Sequence, residues 1–126
     1  MQRSKILEEA RREVPEIGPS DAKKEIDEGK VAVLLDVREM HEWRKGHIEG
    51  AVLIPMDEVP EVANPTGPEP DPRLTEHSDD RIIVYCDAGV RSLLAAHELK
   101  KLGYGNVASM AGGIGVWTKE GNPVEK

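Results

Sequence analysis

The 126-residue chain has one cysteine, no phenylalanine, and only two tryptophans and two tyrosines. A single cysteine cannot form an internal disulfide, and the four histidines show no ligand spacing, so the sequence predicts neither a disulfide framework nor a metal site. Long apolar runs are also missing. The N-terminal stretch MQRSKILEEARREVPE is charged throughout, which predicts neither a signal peptide nor a membrane span. These absences favour a cytoplasmic protein.

Basic residues are in deficit, since 17 Lys and Arg face 24 Asp and Glu and the net charge is −7. Binding to a phosphate backbone needs a concentrated basic face, so nucleic acid is not an expected partner, and neither is a membrane. The length is that of one compact domain. We predict a monomer or a weak dimer.

Two helices are predicted at the start of the chain. In an N-terminal helical arm over residues 1–14, apolar residues recur at helical spacing until Pro15 ends the pattern. They are Ile6, Leu7, Ala10 and Val14. The second helix lies in PSDAKKEIDEGK, where Ser20 marks the start and Gly29 the end. The main domain is predicted to comprise residues 15–126.

Short apolar runs rich in β-branched residues follow, as in strands that are covered on both faces. They lie at 31–37, 51–55, 81–86 and 106–110, and helices are predicted at 38–47, 91–102 and 114–121. This alternation predicts an α/β fold in three layers, with a mostly parallel central sheet of about five strands and helices on both faces.

The segment from Met56 to Asp80 interrupts this alternation. It contains five prolines, which remove backbone donors and disfavour long helices or strands. We predict a surface excursion with little regular structure beyond a turn of helix near its start.

The only cysteine, Cys86, stands between a predicted strand and a predicted helix, in the stretch VYCDAGVRS. In a parallel sheet, ligands bind beyond the carboxyl ends of the strands, where such a loop lies. Gly89 permits a positive φ, which lets successive N–H groups converge on one anion, and the helix N-terminus adds further N–H groups. Both effects favour a thiolate at Cys86. The alternative is a small buried hydrophobe, and the residues alone leave both open.

The stretch YCDAGVRS resembles the active-site loop of the rhodanese family, Cys-x-x-Gly-x-Arg followed by Ser or Thr. LLDVREMHEWRKGHIEGAVLIP is similar to that family's Asp-Val-Arg-Glu and Gly-His-Ile-x-Gly-Ala signature. AGGIGVWTKEGNPV resembles its closing Gly-Gly-x-x-x-Trp segment, and PEIGPSDAKKEIDEG its opening helix. The resemblance spans about residues 15 to 125, with the motifs in the family's order.

This resemblance implies a sulfurtransferase. In the family, a cysteine takes sulfane sulfur from a donor, becomes a persulfide, and passes the outer sulfur to a thiophilic acceptor such as cyanide or a thiol. Cys86 is then the expected catalytic residue, with thiosulfate or a small-molecule or protein persulfide as donor and no metal or other cofactor. The expected substrate-binding loop comprises Asp87, Ala88, Gly89, Val90, Arg91 and Ser92.

Two further residues match family positions near that loop. Asp36 and Arg38 follow the first predicted strand, and we expect them to hydrogen-bond the loop backbone or Arg91. Arg91 is expected to end the loop and to pair with a carboxylate.

Two other function classes remain open. One is a sulfur-relay or regulatory module whose acidic surface docks a partner, with little turnover of small donors. The other is a cysteine-dependent phosphatase or arsenate reductase. It is disfavoured because phosphatase loops place five residues between Cys and Arg, and this chain has four.

Asp87 bears on the choice of sulfur donor. A carboxylate beside the cysteine opposes an approaching anion, so a persulfide donor is as well supported as thiosulfate.

The remaining aromatic and histidine side chains are predicted to serve structure. Trp43 and Trp117 are expected to anchor the core. His47 is expected to end the short helix. The other histidines are predicted to lie at the surface or in satisfied packing: His41, His77 and His97.

Overall fold

A computed structural model describes residues 3–126 of the chain. Its centre is a sheet of five strands, all of whose pairings are parallel. The strands are β1 (Glu16–Ile17), β2 (Val33–Asp36), β3 (Val52–Leu53), β4 (Ile82–Tyr85) and β5 (Val107–Met110), and their order across the sheet is β1-β5-β4-β2-β3. The predicted parallel sheet is confirmed. The two-residue β1 was not predicted from the sequence, because it is too short to show an alternating pattern.

Seven helices cover the sheet within residues 3–126. They are α1 (Arg3–Glu13), α2 (Pro19–Asp27), α3 (Met40–Lys45), α4 (Val59–Val62), α5 (Pro72–Thr75), α6 (Val90–Lys101) and α7 (Gly113–Lys119), with a 3₁₀ turn at Met56–Glu58. None of these helices is long and apolar enough to cross a membrane. Residues 1 and 2 of the predicted arm lie outside the described residues.

Alternate residues of β4 point into two separate cores. Ile82 and Val84 pack with α1, α4 and α6 on one face of the sheet. Ile83 and Tyr85 pack with α2 and α7 on the other. Because both faces are covered, β2, β4 and β5 are buried at every position, which accounts for their largely apolar sequences. The three-layer prediction is confirmed.

The proline-rich segment from Met56 to Asp80 differs from its prediction as a surface excursion. The helical turn near its start is present, but the segment also contains α5 and buries Val59, Ala63 and Leu74 completely. The Tyr104 hydroxyl donates a hydrogen bond of 2.8 Å to the Ala63 carbonyl and ties the segment to the core. Prolines occupy the first turns of α4 and α5, where a missing N–H costs nothing, so their number did not exclude short helices.

The two tryptophans have different environments. Trp117 is 1% exposed and anchors the second core, as predicted. Trp43 is only partly buried, so its prediction as a core anchor is wrong. Its ring instead stacks on His47, with 3.6 Å between ring centroids. His47 lies just after α3, where its Nδ1 is 3.0 Å from the Trp43 carbonyl, in the predicted structural role.

Helix α7 begins in direct contact with the backbone that follows β4. The N–H groups of Ile114 and Gly115 donate to the carbonyls of Cys86 and Asp87, at 2.9 and 3.1 Å. Gly113 has a φ of +60°, and a Cβ there would overlap the Asp87 and Cys86 carbonyls. The absence of a side chain at Gly113 therefore allows α7 to approach the cysteine loop closely.

We predict that Gly113→Ala is much more destabilising than Gly121→Ala. Both glycines have a left-handed φ, so the conformational strain of alanine is similar at the two sites, about 1 to 2 kcal/mol. Only Gly113→Ala adds a clash with backbone, which costs roughly a further 1 to 3 kcal/mol. Urea unfolding at constant m-value gives the free energy of unfolding of both variants. Equal losses of this free energy would contradict the close approach described above.

Candidate active site

The cysteine loop lies at the carboxyl edge of the sheet. Cys86 directly follows β4, its side chain is 1% exposed, and the chain then turns into α6. Gly89 precedes the first residue of α6 with a φ of +104°, the left-handed conformation expected from the sequence. The loop therefore folds back over the cysteine and brings the helix N-terminus toward its sulfur.

Two backbone N–H groups point at the sulfur. Gly89 N and Ser92 N lie 3.1 and 3.3 Å from Cys86 Sγ and donate to it. The Ser92 hydroxyl is 3.4 Å away, at a distance where it accepts from a thiol or donates to a thiolate. These donors form an anion-binding nest around one sulfur atom, and they stabilise negative charge there.

The other predicted loop residues do not bond to the sulfur in the described chain. Asp87, Ala88 and Val90 are exposed at the mouth of the loop. Val90 and Arg91 occupy the first turn of α6, and their N–H groups have no partner among the hydrogen bonds of residues 3–126. They remain available to an anion placed just beyond Sγ.

The Arg91 side chain is fixed by a carboxylate from a neighbouring helix. Its Nη1 and Nη2 donate to the two carboxylate oxygens of Glu42 in α3, at 2.7 and 2.8 Å. Glu42 also accepts from Glu39 N at 3.0 Å, in a capping box that begins α3. The sequence predicts a carboxylate partner for Arg91 but does not single out Glu42, because it lies 49 positions away and only the fold brings it near.

Asp36 and Arg38 differ from their expected role. They bond to each other, with Arg38 Nη2 2.8 Å and Nε 3.0 Å from the Asp36 carboxylate. Arg38 Nη2 also donates to the Gly46 carbonyl at 2.8 Å. Neither residue hydrogen-bonds residues 86–91 in the described chain, because the guanidinium donors of Arg38 are directed toward Asp36 and the backbone around α3. This pair holds the end of α3, the helix whose Glu42 binds Arg91.

Burial and charge around this pair shift several pKa values. Burial opposes the charge of Arg38, but its hydrogen bond to Asp36 and the Asp36 charge outweigh that and raise its pKa. Burial, together with the Asp36 charge, raises the pKa of Tyr85 far above its usual range. The neutral Tyr85 hydroxyl accepts from Ile48 N at 3.1 Å and lies beneath Arg38, which is 5.7 Å from the ring centroid.

A buried serine on the adjacent strand was missed from the sequence. Ser109 of β5 is fully buried, and its hydroxyl lies 2.8 Å from the Ser92 hydroxyl. A lone serine within the stretch NVASM carries no signal of its own. Only the pairing of β4 with β5 places it beneath the loop.

An open cleft of about 440 Å³ adjoins the loop. Its lining includes Asp87 from the loop, Glu42 and Lys45 from α3, and Thr118 from α7. Glu42 is occupied by Arg91, and Asp87 has no ion-pair partner within residues 3–126. Asp87 is therefore the free carboxylate at the mouth of the site.

One acidic cluster with a histidine lies elsewhere in the described part of the chain. Carboxylates of Glu9 and Glu13 in α1 approach His97 Nε2 of α6, at 3.9 and 2.7 Å. His97 is 2% exposed and its Nδ1 has no partner, so the expectation of satisfied packing holds only for Nε2. A metal on Nε2 would require the proton to move to Nδ1, where no acceptor is present. The cluster fits a structural contact in which His97 Nε2 hydrogen-bonds Glu13 and joins α1 to α6.

We predict that Glu42→Gln destabilises the protein in a pH-dependent way. The hydrogen bond from Arg91 lowers the pKa of Glu42 from its usual 4.5 to about 2. Because the folded pKa is depressed, the stabilisation is complete above about pH 4.5 and is lost as the pH falls toward 2. After allowance for solvent screening, we expect the free energy of unfolding of Glu42→Gln to be roughly 1 to 2 kcal/mol lower than that of the wild type at pH 7.

Urea unfolding at several pH values between 7 and 3 tests this prediction, with Glu49→Gln as a control of equal charge change. Glu49 is exposed just beyond α3 and has no ion pair within residues 3–126. Glutamine can still accept the capping bond at position 42, so the variant removes mainly the charge. If the difference in the free energy of unfolding between wild type and Glu42→Gln stays constant down to pH 3, the ion pair is not its source.

Comparison with known proteins agrees with this architecture. A model of the rhodanese-like domain matches residues 18–120. The chain is 37% identical over 105 residues to the putative sulfur carrier protein YrkF of Bacillus subtilis, covering 83% of this chain and 51% of YrkF. It is 30% identical over 112 residues to a sulfurtransferase of Allochromatium vinosum, covering 88% of this chain and 94% of that protein. The chain thus spans about half the length of YrkF.

Among solved structures, one of a protein of unknown function from Rhodopseudomonas palustris superposes over almost the whole chain. This protein, RPA3614, is described as a possible tyrosine phosphatase. The TM-score is 0.90 at 29% identity, covering 99% of this chain and 95% of that one. With a five-stranded parallel sheet and a family-model match over most of its length, the chain belongs to the rhodanese-like domain family.

Proposed function

We propose that this protein takes up sulfane sulfur as a persulfide on Cys86 and transfers it to a thiophilic acceptor. The observation that carries the proposal is the convergence of the Gly89 and Ser92 N–H groups on Cys86 Sγ. A buried cysteine that served only packing would need no hydrogen-bond donors aimed at its sulfur. A sulfur that bears negative charge during a reaction cycle needs them.

The chemistry needs no metal or external electron carrier. The Cys86 thiolate attacks the sulfane sulfur of the donor, a new S–S bond forms, and the old bond to that sulfur breaks with its electron pair. With thiosulfate the leaving group is sulfite, and with a persulfide it is a thiolate. Attack by cyanide or a thiolate on the outer sulfur then releases thiocyanate or a new persulfide, and Cys86 returns as thiolate.

The loop supplies N–H groups for both stages of this cycle. In the resting enzyme, Gly89 N and Ser92 N hold the charge on Sγ. In the persulfide, the charge moves to the outer sulfur, and the first turn of α6 offers the N–H groups of Val90 and Arg91, which have no partner within residues 3–126. The positive end of the α6 dipole favours the charge at both positions.

The charges at the mouth of the loop favour a persulfide donor over thiosulfate. Asp87 is exposed beside the sulfur, and Arg91, the nearest cation of the loop, is neutralised by Glu42. At the loop itself a dianion therefore meets a carboxylate and no free guanidinium, and the unpaired cation of the cleft within residues 3–126, Lys45, is contributed by α3. The likeness to a putative sulfur carrier, YrkF, agrees with a protein or low-molecular-weight persulfide as the partner.

The direct test is the intact mass of the protein after incubation with a sulfane sulfur donor. We expect a gain of one sulfur atom, its loss when cyanide is added, and no gain for Cys86→Ser. Because Cys86 is the only cysteine, any persulfide mass is assigned without mapping. A chain that is loaded fully but turns over slowly with small acceptors would be a carrier rather than a broad-range enzyme.

Failure to gain sulfur from either thiosulfate or a persulfide would overturn the proposal. Hydrolysis of an aryl phosphate that depends on Cys86 would replace it with the activity that the description of RPA3614 suggests. We expect no such hydrolysis, because the loop has four residues between Cys86 and Arg91 and Glu42 occupies the guanidinium that a phosphate would need.

We predict that Asp87→Arg raises kcat/KM for thiosulfate by roughly tenfold at low ionic strength. Reversing one exposed charge about 5 Å from one of the two charges of thiosulfate, in a water-like dielectric, changes the interaction by about 1.7 kcal/mol, which corresponds to a factor of the order of ten. The gain should shrink at high salt, where the charges are screened.

Asp79→Arg is the matched control for this prediction. It makes the same change in net charge, but at an exposed residue before β4, at the opposite end of the strand from Cys86. Equal effects of the two variants would assign the gain to overall charge, and no effect of either would show that Asp87 is turned away from the donor.

A further inference from the structure

We propose that Ser109 is a positioning residue, which orients the Ser92 hydroxyl so that its proton points at the sulfur of Cys86. The inference rests on the proposed function in taking Sγ as the reacting atom. Ser109 does not bond to the sulfur itself and carries no charge. Its effect is transmitted through one hydroxyl group.

The three side chains form a line from the neighbouring strand to the sulfur. Ser109 Oγ lies 2.8 Å from Ser92 Oγ, and Ser92 Oγ lies 3.4 Å from Cys86 Sγ. Both serines are fully buried, and Cys86 is 1% exposed. The three residues come from β5, from α6 and from the end of β4, so each is placed by a different element.

The backbone at Ser109 is held on both sides. β5 pairs with β4, where Ser109 is in register with Val84, and with β1, where it is in register with Glu16. Its N–H donates to the Pro15 carbonyl at 3.0 Å. A strand bonded on both edges cannot shift easily, so the Ser109 hydroxyl has a fixed position relative to the loop.

When the sulfur is ionised, as a thiolate or a persulfide anion, it has no proton to donate to Ser92, and the number of serine protons then decides the direction of the hydrogen bonds. Each serine hydroxyl has one proton to donate. In the described chain, the Ser109 hydroxyl bonds only to Ser92, and the Ser92 hydroxyl bonds only to Ser109 and to the sulfur. If Ser92 donated to Ser109, the Ser109 proton would be buried without an acceptor, at the cost of an unsatisfied polar group.

If Ser109 donates to Ser92, both protons are used. The Ser92 proton is then directed at the sulfur, where the bond becomes charge-assisted once the sulfur is a thiolate or a persulfide anion. The donated bond from Ser109 also polarises the Ser92 hydroxyl and strengthens it as a donor. Ser109 thereby favours the ionised sulfur over the protonated one.

The test measures the ionisation of Cys86, the only thiol in the chain, through the ultraviolet absorbance of the thiolate as a function of pH. The midpoint is the pH at which half of the thiol is ionised. The absorbance of each variant is corrected by subtracting the absorbance of the same variant with Cys86→Ser added. We expect Ser109→Ala to move the midpoint to higher pH, with about two- to fivefold less thiolate at a pH below the midpoint. Ser92→Ala should move it further, because it removes the charge-assisted bond itself.

The double variant distinguishes a relay from independent effects. If Ser109 acts through Ser92, Ser92→Ala/Ser109→Ala should have the same midpoint as Ser92→Ala alone. Ser109→Thr keeps the hydroxyl on a strand that tolerates β-branched residues, and should retain the wild-type midpoint. A merely structural role of Ser109 would change the unfolding free energy without this pattern in the midpoints.

A Ser109→Ala midpoint equal to wild type, or shifts of the two single variants that simply add, would overturn the inference. The measurement uses no sulfur donor, so its outcome is independent of the persulfide assay. If Ser109→Ala shifts the midpoint but the protein never gains sulfur, the relay is upheld and the proposed function is rejected. If the protein gains sulfur but Ser109→Ala leaves the midpoint unchanged, the proposed function stands and the relay is rejected.

Discussion

The structure of this protein places a nearly buried sulfur atom among backbone hydrogen-bond donors, and several surrounding elements hold those donors in position. A charged group that is nearly excluded from solvent is unstable unless hydrogen-bond donors replace the lost water. At Cys86 the replacement comes from backbone N–H groups of Gly89 and Ser92, which have fixed positions and no charge of their own. The turn after β4, the left-handed glycine and the first turn of α6 all contribute to this one contact.

Other elements hold the loop in place without touching the sulfur. Glu42 in α3 fixes Arg91 through a bidentate ion pair, and the buried pair of Asp36 and Arg38 fixes the end of α3. From the opposite side, the N-terminus of α7 bonds to the carbonyls of Cys86 and Asp87. The N–H groups that point at the sulfur need such support, because a small rotation of the peptide planes would turn them away from Sγ.

The rigid interior of the site contrasts with its exposed mouth. Inside, the hydrogen-bonding groups are backbone N–H groups and two buried serine hydroxyls. Their geometry would be the same for any incoming sulfur donor. At the mouth, the charged groups are the free carboxylate of Asp87, the Arg91 guanidinium neutralised by Glu42, and the Lys45 ammonium of α3. In the proposed function, the buried interior provides the sulfur chemistry and the exposed side chains select among sulfur donors.

The sequence by itself determined the layered parallel sheet, the position of Cys86 after a buried strand, and the left-handed turn at Gly89. These follow from local patterns: continuous apolar runs, alternation of strands with helices, and a glycine where a positive φ is required. Tertiary structure alone decided that Glu42 pairs with Arg91, that Ser109 lies beneath Ser92, and that the proline-rich segment contributes Val59 and Leu74 to the core. These contacts join residues far apart in the chain, and strand order and helix docking set their distances, which no local pattern encodes.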